Sequence, residues 1–215
     1  MKHPILLSIA EDDKNYAEIL ILRLQKFTQQ IQILQVAADG SELVTAILQT
    51  KQHPQIILMD IQMRGMNGIE ATLKIKQVQP HIKIIAYTQW DNPERIARML
   101  LSGADAFICK TIPIEEQVNI ICTVYQGSHK LNDHPHAMPI LEKMNEMQHV
   151  TQAMQVKHQQ TLLSLCKGKS REQMANEMGV SVDSIKNYIK ELHRVTGTDT
   201  SAALIKYAFT NGFLI

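Results

Sequence analysis

Five polar residues stand where this chain could do chemistry: Glu11, Asp12, Asp60, Thr88 and Lys110, each at the end of a short apolar run. Crowded carboxylates repel one another, and a hard divalent cation such as Mg2+ relieves that repulsion by taking their oxygens as ligands alongside water. The metal then holds and neutralises an incoming phosphoryl group. An Asp carboxylate attacking phosphorus would give an aspartyl phosphate, while Lys and Thr donors would stabilise the remaining phosphoryl oxygens. Any one such residue is an ordinary polar strand end. Four strand ends carrying the set together point to one task.

The elements that must gather these residues are legible as alternating patterns. The runs Ile5–Ala10, Ile31–Ala37, Ile56–Met59, Ile82–Tyr87 and Ala106–Cys109 predict strands. Between them, Tyr16–Phe27, Ser41–Lys51, Gly68–Val78, Pro93–Leu101 and Ile114–Tyr125 place apolar residues at helical spacing, with Ala17, Leu20 and Leu24 sharing a face. Near-continuous apolar strands alternating with helices imply an α/β fold, a five-stranded doubly wound parallel sheet covered on both faces. In such sheets, binding groups lie beyond the carboxyl ends of the strands.

The stretch from Gln126 to Met138 turns to Gly, Ser, Asn, Pro and three histidines, His129, His134 and His136, which read as solvated linker residues. Pro139 is then expected to open a helix with Leu141, Met144, Met147, Thr151 and Met154 on one packing stripe. Beyond Val156 the periodicity is purely helical, predicting a small all-α domain. Ser170-Arg-Glu-Gln173 fits a capping box, opening a helix that stops at Gly179. Ser181 caps the next, which runs through Val195 to Gly197, and a last helix spans Ser201 to Asn211. The expected domains are 1–125, a linker over 126–155, and 156–215.

A short helix, a turn at Gly179-Val-Ser and a second helix have the helix-turn-helix order. On the second helix Ile185, Ile189 and Leu192 form the buried stripe, leaving Lys186, Asn187, Lys190 and Arg194 outward. Such a face suits the DNA major groove, where Lys meets guanine acceptors or phosphates and Asn pairs with adenine.

Composition narrows the rest. The 215 residues carry 22 Lys plus Arg against 21 Asp plus Glu, so overall charge advertises no polyanionic partner. The charge is unevenly placed, however: residues 156–215 hold 8 basic against 5 acidic groups. Cys109, Cys122 and Cys166 are an odd, scattered set without metal-ligand spacing, read as reduced thiols. No apolar run approaches the roughly 20 residues needed to cross a bilayer, and a cytoplasmic protein is expected.

The motifs Ile-Ala-Glu11-Asp12-Asp13, Leu-Met-Asp60-Ile-Gln-Met-Arg-Gly-Met-Asn-Gly68, Ala-Tyr-Thr88 and Gly103-Ala-Asp-Ala-Phe107-Ile-Cys-Lys110 resemble the receiver domain of bacterial two-component response regulators, a flavodoxin-like fold. The resemblance implies that Asp60 accepts phosphate from a sensor histidine kinase. It implies that Glu11, Asp12, Asp60 and the backbone carbonyl of Gln62 hold Mg2+, that Thr88 and Lys110 contact the phosphoryl group, and that Phe107 is the aromatic switch residue. Arg64 and Thr111 stand where proline is common, the second removing the usual reason for a cis peptide bond. Gln89 replaces a typically small residue beside Thr88, and the bulky Trp90 at the rim is read either as a shield of the phosphoryl group from water or as a surface or partner-contact aromatic.

The run from Leu165 to Ile189, with the closing Gly212-Phe-Leu-Ile, is similar to the LuxR-type DNA-binding domain of the NarL/FixJ class. By that pattern Lys186, Asn187 and Lys190 reach bases, and Lys169 and Ser170 lie nearer phosphates. Val156-Lys-His-Gln159, Tyr188 and Asp199 depart from it, the first and last together removing a frequent internal ion pair. The combined reading is a phosphorylation-controlled, DNA-binding transcription regulator, dimeric when phosphorylated, whose only catalysis is its own phosphoryl transfer and dephosphorylation. Two rivals are a receiver-controlled protein-interaction module and a small aspartyl-phosphate phosphatase. The latter would carry its nucleophile after the first strand, whereas Asp60 follows the third.

Overall fold

A computed structural model describes residues 3–89, 92–131, 137–153, 156–210 and 213. Trp90, His134, His136, Met154, Asn211 and Gly212 lie outside the described residues. The chain divides into two compact units, residues 1–143 and 144–215.

The first unit alternates strands and helices: β1 Ile5–Ala10, α1 Lys14–Leu24, β2 Ile31–Ala37, α2 Gly40–Gln49, β3 Ile56–Asp60, α3 Gly68–Val78, β4 Lys83–Thr88, α4 Pro93–Leu101, β5 Ala106–Cys109 and α5 Ile114–Tyr125. All strand pairs are parallel, in the order β2-β1-β3-β4-β5. This order reverses direction between β1 and β3, the switch point at which loops diverge and leave a crevice. β3 is the central strand and is buried along its whole length, so Asp60 ends a strand with no solvent-facing side.

Alternation along the strands divides the core between two faces. Leu7, Ile9, Leu58, Tyr87 and Ile108 pack with Leu20 and Leu24 of α1 and Val118 and Ile121 of α5. The intervening residues Ile57, Met59, Ala86 and Phe107 point to the other side and are equally buried. Each fully buried Leu or Ile contributes about 1.5–3 kcal/mol, which makes the strand ends a rigid platform.

Helix starts are fixed by short polar side chains. Asp13 Oδ1 accepts from the Tyr16 N–H at 3.1 Å, so α1 opens at Lys14 with Asp13 as its cap. Asp39, Asn67 and Asn92 cap α2, α3 and α4 in the same way. Gly68 opens α3 so close to β3 that a Cβ there would lie 2.1 Å from the Asp60 carbonyl oxygen.

Further on come α6 Ala137–Ala153, α7 Val156–Cys166, α8 Arg171–Met178, α9 Val182–Thr196 and α10 Ser201–Thr210. α6 starts two residues before Pro139, and among its described side chains Ala137 and Ile140 are buried and Leu141, Met144 and Met147 half-buried. In the second unit, Leu162 of α7, Leu192 of α9 and Leu204 and Ala208 of α10 form one small core. Met174 and Ala175 of α8 with Ile185 and Ile189 of α9 form another, joined by half-buried Leu165.

Candidate acidic site and recognition helix

The acidic residues meet beyond the carboxyl ends of β1 and β3. Glu11, Asp12 and Asp60 each offer a carboxylate oxygen, and these oxygens lie within 4.8 Å of one another. Asp13 serves as the α1 cap, its outward turn following from helix geometry. From the end of β5, Lys110 donates from Nζ to Glu11 Oε2 at 2.6 Å and stands 3.4 Å from Asp60 Oδ1. Its ammonium also lies 4.8 Å from the centre of the Tyr16 ring and 5.5 Å from that of Tyr87, where the ring faces attract a cation.

Burial raises the Asp60 carboxyl from 3.8 to about 6, against the lowering attraction of Lys110. The neighbouring Glu11 charge adds to the rise, while a hydrogen bond from the Gln62 backbone opposes it. Three carboxylates face one ammonium, and the donor set contains oxygen without His or Cys. That is the composition a hard cation such as Mg2+ requires, and the residues fit it.

The loops close around this cluster through specific bonds. The Arg64 N–H donates to Asp12 Oδ2 at 3.2 Å, a bond that a proline at 64 would lack. Arg95 Nη1 donates to Gln62 Oε1 at 2.6 Å, joining the β3–α3 loop to α4. Thr88, buried at the end of β4, turns its hydroxyl to donate to the Gln89 carbonyl at 3.0 Å. Lys110 N–H donates to the Thr88 carbonyl at 2.8 Å, tying the two strand ends together. Phe107 is wholly buried. The described residues contain no cis peptide bond, so the bond between Lys110 and Thr111 is trans.

Sequence patterns alone passed over three residues at this site: Tyr16, Tyr87 and Gln117. Tyr87 donates to Gln117 Oε1 at 2.9 Å, and its hydroxyl lies 3.0 Å from that of Tyr16. Burial pushes the Tyr87 phenol far above its ordinary value, so it remains an O–H donor. The available signal was Gln117, a polar residue on the buried stripe that Val118, Ile121 and Val124 define on α5.

In the second unit, Ser170 Oγ accepts from the Gln173 N–H at 3.2 Å while Gln173 Oε1 accepts from the Ser170 N–H at 2.8 Å, a complete capping box. Gly179 ends α8 in the left-handed conformation at φ 62°. Ser181 caps α9, whose buried stripe is Ile185, Ile189 and Leu192. Lys186, Asn187, Lys190 and Arg194 are exposed on the opposite side. Lys186 pairs with Asp183 at 2.9 Å, Arg194 with Glu191 at 2.5 Å, and Lys169 with Glu177 at 2.5 Å. His158 and Tyr188 meet edge to face at 5.1 Å.

The family described as the response regulator receiver domain matches residues 7–122, a span that contains the whole acidic cluster together with Thr88, Phe107 and Lys110. The chain belongs to the response regulator family. Among its response-regulator relatives is VraR of Staphylococcus epidermidis, 25% identical over 204 residues that cover 94% of this chain and 96% of that protein. VraR of Staphylococcus aureus strain N315 is 24% identical over the same length and coverage. Among solved structures, the response regulator ChrA of a heme-sensing two-component system covers 99% of this chain and all of its own, with a TM-score of 0.55 and 21% identity. RcsB from Salmonella enterica serovar Typhimurium, solved bound to a promoter with the phosphomimetic BeF3-, covers 96% of this chain and 98% of its own at a TM-score of 0.58 and 16% identity. These likenesses extend the shared fold beyond the receiver sheet into the helical region. No helix among the described residues is long and apolar enough to cross a membrane.

Proposed function

We propose that this response regulator is a cytoplasmic, DNA-binding transcription regulator of a two-component system, switched by phosphorylation at Asp60. Residues 1–125 act as the receiver, 126–155 as the connector and 156–215 as the DNA reader. The observation that carries the reading is the carboxylate triplet of buried Glu11 and Asp60 and half-buried Asp12, with Lys110, at the switch point of a parallel sheet.

Asp60 takes the phosphoryl group from a phosphohistidine of a sensor kinase. One carboxylate oxygen forms the new bond to phosphorus as the P–N bond breaks and the imidazole departs with the bonding pair. Lys110 is poised to neutralise a phosphoryl oxygen, a stabilisation that strengthens as charge accumulates in the transition state. Thr88 contributes its hydroxyl once that group turns away from the Gln89 carbonyl. Glu11, Asp12, Asp60 and the Gln62 carbonyl would hold Mg2+, which when bound neutralises the acidic cluster and the entering phosphoryl group. Thr88 and Phe107 then bias a two-state receiver. Catalysis is confined to the protein's own phosphoryl transfer and dephosphorylation.

In the reader, Lys186, Asn187 and Lys190 approach bases, and Lys169 and Ser170 approach phosphates. Ser170 already accepts the Gln173 N–H and donates its hydroxyl to the Glu172 carboxylate, so that hydroxyl turns away from Glu172 to meet a phosphate. Phosphorylation favours a homodimer that presents two recognition helices to paired half-sites of double-stranded DNA. That RcsB was solved on a promoter supports this reading by analogy of fold. The test is a genome-wide binding map of wild type against Asp60→Ala. Discrete sites that weaken or vanish in the variant are expected; identical maps would refute control by Asp60, and maps without sites would refute DNA binding.

A further inference from the structure

Tyr87 and Gln117 are polar side chains sealed in the receiver core, 0% and 1% exposed. Their hydrogen bonds have a single consistent direction. Gln117 Nε2 donates to the Ile112 carbonyl at 2.9 Å and reaches the Lys110 carbonyl at 3.5 Å. The reverse amide orientation would press Oε1 against two carbonyl oxygens, so Oε1 faces Tyr87 and accepts its only hydroxyl proton. At the 3.0 Å contact between the two phenols Tyr87 is therefore the acceptor, and Tyr16 donates. The Tyr16 proton is shared with the Lys110 carbonyl, 3.2 Å away.

Helix α1, strand β4 and helix α5 thus converge on the turn at residues 110–112. Within that turn the Ile112 N–H reaches the Cys109 carbonyl only at 3.3 Å. The side chain of Lys110 leaves this same turn to meet Glu11 and Asp60. Rotation of the turn would carry the ammonium with it, and a displacement of about 1 Å at a reacting centre costs up to about 100-fold in rate.

We propose that Tyr16, Tyr87 and Gln117 are positioning residues for phosphoryl transfer, a buried clamp that fixes the Lys110 turn and hence the ammonium at Asp60. The proposal rests on Asp60 being the phosphoacceptor. None of the three is a ligand of the cation, so the clamp governs rate and leaves cation affinity alone.

The experiment uses the full chain with Mg2+ and acetyl phosphate as phosphodonor, comparing wild type, Tyr87→Phe, Gln117→Leu and the double variant. The saturating phosphorylation rate is followed by mass spectrometry, and Mg2+ affinity by calorimetric titration. Each single variant should lose about tenfold in rate, with the Mg2+ dissociation constant unchanged within about twofold, and the double variant should lose no more than either single, as members of one unit do. Tyr87→Phe removes only a hydroxyl and keeps its ring in the core, so it decides the matter should Gln117→Leu misfold. A wild-type rate in Tyr87→Phe, losses that multiply, or rate and Mg2+ affinity falling together would each overturn the clamp. Wild type that takes no phosphoryl group would instead overturn the reading of Asp60 itself.

Discussion

Replacing Asp60 by Asn should make the metal-free protein more stable at neutral pH. The folded protein holds the Asp60 proton up to about 6, against 3.8 for an unperturbed carboxyl. A rise of about two units, at about 1.4 kcal/mol each, is an unfavourable contribution of about 3 kcal/mol from the ionised form. Because the folded-state value is raised, the folded protein binds more protons than the unfolded chain between those two values. Stability therefore falls as pH rises through that window, and the penalty is constant above it and absent below it. Asn keeps the shape and carries no charge, so its advantage should be near zero at about pH 3.5 and reach about 2–3 kcal/mol above about pH 6.5. Urea unfolding of both proteins in excess chelator, followed by circular dichroism across this range, measures the difference directly. Titrations of groups remote from Asp60 are common to both proteins and cancel. An Asn variant that is less stable at neutral pH, or a difference independent of pH, would refute the electrostatic account of the site. Mg2+ at about 100 times its dissociation constant should erase most of this difference, since binding adds about 2.7 kcal/mol to wild type and the variant lacks one of the carboxylates.

Four further outcomes follow from particular residues. Gly68→Ala would drive a Cβ to 2.1 Å from the Asp60 carbonyl, so it should cost about 3 kcal/mol or more and slow phosphorylation, both read from unfolding curves and acetyl phosphate assays. Ser170→Ala breaks the capping box and should lower stability by about 1 kcal/mol, visible as earlier unfolding of the helical unit. Lys190→Ala should reduce the salt dependence of DNA binding by about one ion. Asp183→Asn, by releasing Lys186, should strengthen binding up to about threefold, and weaker binding would argue that Lys186 does not face DNA.

Much of the site was legible because its residues sit at strand ends, where a near-continuous apolar run stops abruptly at an acid or a lysine. Glu11, Asp12, Asp60 and Lys110 could be assembled by topology alone, since a parallel sheet brings the carboxyl ends of its strands to one edge. Asp13 shares their composition and nevertheless serves as a helix cap, a distinction made by one bond to the Tyr16 N–H. The Tyr16–Tyr87–Gln117 network was hidden for a different reason. Its partners are 71 and 30 residues apart in sequence, so no local pattern joins them, and Tyr87 satisfies the strand pattern simply as an aromatic core residue. The same limit applies to Arg64, whose contribution at Asp12 is made by its backbone N–H and is independent of its side chain. In the helical unit, the capping box and glycine stops were local signals and appear where the spacing indicated. The ion pairs that occupy Lys169 and Lys186 required side-chain positions.

The central claim is that the carboxylate cluster accepts a phosphoryl group at Asp60. The most direct measurement is intact-mass and peptide mass spectrometry of the full chain after incubation with acetyl phosphate, with and without Mg2+. The account predicts a single added phosphoryl group in the Mg2+ sample, located on Asp60, removed by hydroxylamine as an acyl phosphate must be, and lost in Asp60→Asn. An unmodified wild-type protein, or a phosphoryl group on another residue, would contradict it.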